Sequence, residues 1–252
     1  MRLSYNDIEN YAIAELYRFM SPAIDVKGIK PILIGTFASS LLNLRLEYTR
    51  LSDDGKMLGI TTYSDMDIDL YRYCRKETIS VPAKTVLIDE RLKPPLMWGI
   101  PDNEFRRRQF TIAHECAHHI LYRIMPDNER REFDKRYSAR TMSLYELKSV
   151  DDWYEWQANA LAAALIMPKK YIELLLGSHR LILYGRRMNK PDDLRLNNMC
   201  SRLGVSRTML TLRLKQLGYL LVLPSSEYYD PTDIECDDDF YTAQEAGGKA
   251  YG

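Results

Sequence analysis

The run Phe110-Thr-Ile-Ala-His114-Glu115-Cys-Ala-His118-His119 holds three of the chain's four histidines, and their spacing constrains the fold more than any other feature. On a helix, positions 114 and 118 lie one turn apart on one face, so both imidazoles can reach a single divalent cation. His-Glu-x-x-His is the pattern of zinc hydrolases, in which two histidines bind the metal and the glutamate between them reaches a water beside it. The segment reads as a helix on separate grounds. Phe110, Ala113, Ala117, Ile120 or Leu121, and Ile124 recur at helical spacing, and Pro126 stops the pattern. Such a helix carries ligands beside a buried stripe, and a second element is needed to cover that stripe.

A catalytic zinc keeps three protein ligands and leaves a position for water, so a third ligand is expected downstream. Residues 151–168 read as an alanine-rich helix with aspartates at its start and Pro168 just beyond its end. Glu155 and Asn159 share one of its faces. In zincins of the thermolysin type a glutamate on a second helix is the third ligand, and a polar residue one turn on holds a ligand histidine. By that likeness Glu155 takes the first role and Asn159 the second, fixing the histidine's tautomer. A lone glutamate on a helix is ordinarily a solvated residue. Here it gains meaning from the upstream motif.

Two stretches resemble the ImmA/IrrE family of metallo-endopeptidases. Arg107-Arg-Gln-Phe-Thr-Ile-Ala-His-Glu-Cys-Ala-His118 is similar to the family's "RxxFTxAHExGH", and Glu155-Trp-Gln-Ala-Asn159 with Leu165-Ile-Met-Pro168 to its "ExxAN…LLMP". Val86-Leu-Ile-Asp89 resembles the edge strand that precedes the active-site helix, so the likeness spans residues 84–168. Cys116-Ala117 replaces the usual Leu-Gly, and Gln157 stands where many members have a glutamate. If position 157 supplied the ligand, this chain would have lost it; the one-turn spacing to Asn159 favours Glu155. The resemblance implies a cytosolic zinc peptidase with few natural substrates, typically one that cuts a helix-turn-helix repressor. The residues themselves imply general-base chemistry, with Glu115 taking a proton from the attacking water and passing it to the leaving amine.

The 252 residues can bury a sizeable core. No charged leader followed by an apolar stretch opens the chain, and Ala158 to Met167 is too short to span a bilayer. Cysteines 74, 116, 200 and 236 form no Cys-x-x-Cys pair, which suits a reducing compartment. A cytoplasmic protein is expected, with Cys116 small and buried. The formal net charge of zero hides an asymmetry: residues 224–252 carry eight acidic side chains against one lysine, leaving the body correspondingly basic. That tail is expected to be disordered and to solubilise, or else to shield a basic groove.

Residues 4–20 read as an amphipathic helix after a Ser or Asn cap, and a second helix is expected after Asp25. Strands are expected at 42–51, 57–63, 68–73 and 84–89, with a turn at Asp53-Asp-Gly-Lys. Strands followed by two metal-bearing helices give an α+β, zincin-like metallopeptidase domain over 1–176. A helical region over 177–223 and the acidic tail over 224–252 complete the chain. From Asp192 to Gly218 the sequence resembles a helix-turn-helix, with Gly204 in the turn, Ser206 as a cap, and Leu210 and Leu214 inward. Arg207, Arg213 and Lys215 are expected to face solvent, available to DNA phosphates or to a docking protein substrate. Three function classes follow: a zinc endopeptidase, which the paired motifs favour; a DNA-binding regulator whose metal site is secondary or vestigial; and a zinc hydrolase of non-peptide amides.

Overall fold

The computed structural model describes residues 1–20, 27–94, 103–137, 142–143 and 152–228. Helix α1 (Tyr5–Phe19) begins in a capping box. The Asp7 amide donates to Ser4 Oγ at 3.2 Å, and the Ser4 amide donates to the Asp7 carboxylate at 2.9 Å. Ile8, Ala12 and Leu16 form its buried stripe. The helix expected after Asp25 starts later: residues 27–33 are turn and coil, and α2 (Ile34–Thr36) runs into a π-helical turn at Phe37–Leu41. Pro31 explains the delay, since it lacks an N–H and biases Lys30 towards an extended backbone.

Strands β1 (Arg45–Thr49), β2 (Gly59–Thr61), β3 (Met66–Arg72), β4 (Arg75–Val81) and β5 (Thr85–Asp89) follow. The first sheet has the order β1-β5-β2, with β5 parallel to β1 and antiparallel to β2. Val86–Asp89, expected at the sheet edge, is thus in its centre. Every residue of β5 is buried, as a continuous apolar run covered on both faces requires. The two edges are β1 and β2. In the second sheet, β3 and β4 form a hairpin whose two-residue turn, Tyr73-Cys74, has φ of 53° and 57°. Both turn amides donate to the Asp53 carboxylate, at 2.9 and 3.0 Å. That long-range brace replaces the Asn-Gly chemistry that usually marks such a turn in sequence, and β4 was absent from the sequence reading for this reason.

Helix α3 (Asn103–Ile124) carries the histidine motif. It is followed by α4 (Asp127–Tyr137), by the short strand β6 (Met142–Ser143), parallel to β3, and by α5 (Asp152–Ile166). α5 lies between α1 and α3. Ala158, Leu161, Ala162 and Leu165 are all buried along it, and a helix apolar on most sides is one enclosed by neighbours. Its alanines permit close approach, which brings the next polar side chains within reach of α3. Truncating a filled position such as Leu161 to Ala is worth about 2–5 kcal/mol. α1 is tied to α3 by charge as well: Glu15, buried, accepts from Arg123 and from Arg18.

After α6 (Lys169–Leu176) come β7 (Leu181–Tyr184), α7 (Lys190–Leu203), α8 (Arg207–Gln216) and β8 (Leu220–Leu223). Gly204, at φ 67°, ends α7, and Ser206 caps α8 by accepting from the Met209 amide. β7 and β8 form a parallel pair that the sequence reading had not anticipated, because two apolar runs of four residues are too short to show a period. Buried Asp192 locks α7 to this ribbon, accepting from the Ile182 amide at 2.9 Å and pairing with His179 at 2.6 Å. Leu196, Leu210 and Leu214 join the same hydrophobic cluster as α1, α3 and α5. Residues 229–252, most of the acidic tail, lie outside the described residues, as does the segment just after Met20. No described helix is long and apolar enough to cross a membrane.

Candidate metal centre

α3 presents His114 and His118 from consecutive turns, and α5 lays Glu155 across them. The two Nε2 atoms are 2.9 Å apart, Glu155 Oε2 is 3.3 Å from His114 Nε2, and Oε1 is 3.3 Å from His118 Nε2. Three ligands at about 2.0–2.1 Å from one tetrahedral ion stand about 3.3 Å from each other. The observed separations fit one face of such a polyhedron, and the two-imidazole, one-carboxylate donor set suits a divalent metal. Burial alone would raise the Glu155 carboxyl, but its hydrogen bonds and charge interactions with His114 and His118 hold it well below the usual carboxylate range.

Glu115 is buried and lies about 60° round the helix axis from His118. Strand β2 runs against it. A Cβ built on Gly59 would sit 2.7 Å from Glu115 Oε1 and 2.8 Å from Thr111 Cγ2, so a residue without a side chain is what lets the strand come this close. A glycine inside a strand pattern is a recognised sign of close backbone approach, and that signal was present in the sequence but unused. Tyr154 was missed as well. Its ring packs 5.2 Å from that of His118, and its hydroxyl donates to the His118 carbonyl at 3.1 Å. His119 points elsewhere. Its ring lies parallel to Tyr63, and burial, followed by the charges of Lys84 and Arg123, pushes it down to about 4 and leaves it neutral. Cys116 is fully buried, and that burial, with the nearby Glu115 charge, pushes its thiol well up; it is packing rather than a ligand.

Asn159 does not take the role expected of it. It is exposed and, among the described residues, makes no hydrogen bond to either histidine. Glu155 and Tyr154 meet the ligand histidines, whereas the Asn159 side chain is turned to the exposed side of α5. Gln157, the position where a glutamate would have offered a rival ligand, faces the opposite side. Its side chain is buried, accepts from the Leu3 amide at 2.8 Å and donates to the Met1 carbonyl at 3.4 Å. Glu155, not position 157, is therefore the carboxylate that reaches the histidines.

The three cations of α8 separate. Arg213, expected at the surface, is only 1% exposed: it pairs with Glu9 of α1 at 2.5 Å and donates to the Met167 carbonyl at 3.3 Å. It lies three residues from Leu210 and next to Leu214, so it shares the inward face, and the partly buried Glu9 of α1 supplies its counter-charge. Arg207 pairs with Asp193 at 2.5 Å and donates to Asn197 Oδ1 at 3.1 Å. Lys215 is exposed.

No curated protein matches the chain significantly. A family model does: the one described as IrrE N-terminal-like domain, in peptidase family M78, matches residues 58–215. The match runs from the residue before β2, through both metal-site helices, almost to the end of α8, and covers more than half of the sequence. With Gly59, His114, Glu115, His118 and Glu155 all inside that span, the chain belongs to the IrrE N-terminal-like family of peptidases.

Proposed function

We propose that this protein is a zinc-dependent endopeptidase acting on a protein substrate, in the first place a helix-turn-helix repressor, in the cytoplasm. One observation carries the reading: two imidazole nitrogens and a carboxylate meet within 3.3 Å, with a buried glutamate beside them. Zinc bound by His114, His118 and Glu155 supplies a Lewis acid and a water that ionises near neutral pH. The Glu115 carboxylate takes the proton of the attacking water and delivers it to the departing amide nitrogen. Tyr154 and the packing of α5 on α3 keep the His118 turn in place. Strand β2, at the edge of its sheet and against Glu115, offers an extended polypeptide a main-chain rail beside the reacting centre. A regulator acting through DNA has less to stand on, since Arg213 is buried and Arg207 is already paired.

The test is co-expression with helix-turn-helix repressors encoded nearby, followed by mass spectrometry of their fragments, for the wild type and for Glu115→Gln. That substitution keeps shape and removes the base. Zinc content is expected to persist while cleavage falls by about 10²-fold or more. Cleavage of a verified substrate at the wild-type rate by the variant would reject the mechanism.

A further inference from the structure

A groove of about 290 Å³ opens beside the metal centre, between the first half of α3, the chain entering β2, and the start of α8. Its apolar floor is Leu58, Phe110 and Met209, and its rim carries Arg106, Arg107 and Thr111. It is continuous with the reacting centre in two ways. The Phe110 ring lies 6.4 Å from that of His114, and Thr111 and Glu115 both occupy the space that a Cβ on Gly59 of β2 would need. A polypeptide held along β2 therefore passes the groove within a few residues of the atoms at the metal.

The charge of the groove is uncompensated. Of the three consecutive arginines, Arg108 is committed to structure, donating to the Leu92 carbonyl at 3.1 Å and lying over the Phe105 ring. Arg106 and Arg107 have no ion pair among the described residues. Arg106 makes only a 3.5 Å contact with Asn103, and its Nε is buried without a hydrogen-bond partner. Arg107 is exposed at the groove rim. The N-terminus of α8 opens onto the same space through Ser206 and Met209, and its helix dipole adds positive potential there. Planar guanidinium groups above an apolar floor match a carboxylate on a short aliphatic stem.

We infer that this groove is a specificity subsite for an aspartate or glutamate side chain of the polypeptide substrate, with Arg107 and Arg106 as the carboxylate partners. The inference rests on the peptidase reading for its setting, yet it concerns binding alone. It also gives the C-terminal helices a part in recognition through the first turn of α8, at the opposite end from Arg213 and Lys215. A volume just under the roughly 300–1,000 Å³ of small-ligand pockets admits one side chain and its adjoining backbone, not a folded element.

The test uses full-length protein in two arms. In the first, the peptides of a proteome digest are cleaved by the zinc-loaded wild type and by the Arg106→Glu, Arg107→Glu double variant, and the residues around each cut are read by mass spectrometry. Wild type is expected to enrich Asp or Glu at one position within three residues of the cut, and the double variant to replace that preference with Lys or Arg. In the second arm, zinc-loaded Glu115→Gln protein, whose cleavage is slow enough to leave the peptides intact during a titration, is titrated with the fluorescent amidated peptide Ala-Leu-Ala-Glu-Leu-Ala, its Gln counterpart, and the Gln peptide with a free C-terminus. The Glu peptide is expected to bind about 10-fold more tightly than either, as one charge-assisted contact provides. That advantage should disappear on adding the two Arg→Glu changes, and Arg107→Lys should keep part of it. Retained zinc content and thermal melting show that the variants are folded. Absence of cleavage in the first arm with discrimination in the second would reject the peptidase reading and keep the subsite. Equal or undetectable binding of the three peptides, tighter binding of the free C-terminus, or an acidic preference that survives the double variant, would each overturn the inference.

Discussion

Two polar clusters, each partly buried, join this protein's helices, and they are built on opposite principles. Arg213 of α8 and Glu9 of α1 form a donor facing an acceptor, with the Met167 carbonyl taking a further N–H. Opposite charges meet inside the pair, although Glu9 Oε1 and Arg213 Nη2 are buried without a hydrogen-bond partner. At α3 and α5, two imidazoles and a carboxylate bring their nitrogen and oxygen atoms to one point. Lone pairs that converge need a cation between them, either protons or a metal. Burial of polar groups is thus no guide to function by itself; whether opposite charges meet or lone pairs converge is the guide.

The sharpest test of that contrast is Arg213→Ala. It strands the Glu9 carboxylate in the interior and is expected to cost about 3–5 kcal/mol in denaturant unfolding, whereas Arg213→Met combined with Glu9→Leu should be close to neutral. Neither change should alter the metal affinity of protein that remains folded. Unchanged stability of Arg213→Ala would show that the pair is not structural. Next in size, His118→Ala should weaken zinc binding by more than about 100-fold, beyond what loss of a supporting contact does. In metal-free protein the same substitution should destabilise less than Arg213→Ala. Wild-type zinc stoichiometry and affinity in this variant would remove the metal centre from the comparison. The smallest effect belongs to the surface. Arg207→Ala breaks an exposed pair with Asp193 and should cost about 0.2–1 kcal/mol, less at high salt. A larger loss would mean that the Arg207 contacts are part of the core packing of α7 against α8.

What was legible in the sequence was whatever depends on neighbours within one turn. The Ser4 and Ser206 caps, the helix carrying His114 and His118, the αL stop at Gly204, and the strands around residues 59, 68 and 86 all follow from short-range rules. Glu155 was legible only through a family likeness, because a ligand on a second helix has no local signature. The β4 strand stayed hidden because its turn is braced by Asp53, twenty residues away. β7 and β8 stayed hidden because each is stabilised by the other, across α7 and α8.

The sequence by itself determined that this chain would carry two imidazoles and a glutamate on one helix, and that a second, alanine-rich helix would pack closely with another element. Periodicity and capping act through the backbone's own geometry, so no partner is needed to read them. Only the tertiary structure decided which polar residues meet. The packing of α5 on α3 brings Tyr154 and Glu155 to the histidines and leaves Asn159 exposed. Pairing with Glu9 of α1 and with the Met167 carbonyl accompanies the burial of Arg213. The place of β5 at the centre of its sheet leaves β2 at the edge, where Gly59 meets Glu115. Each outcome depends on the angle and register between elements distant in sequence, which are set by how whole faces pack rather than by any residue's own preference.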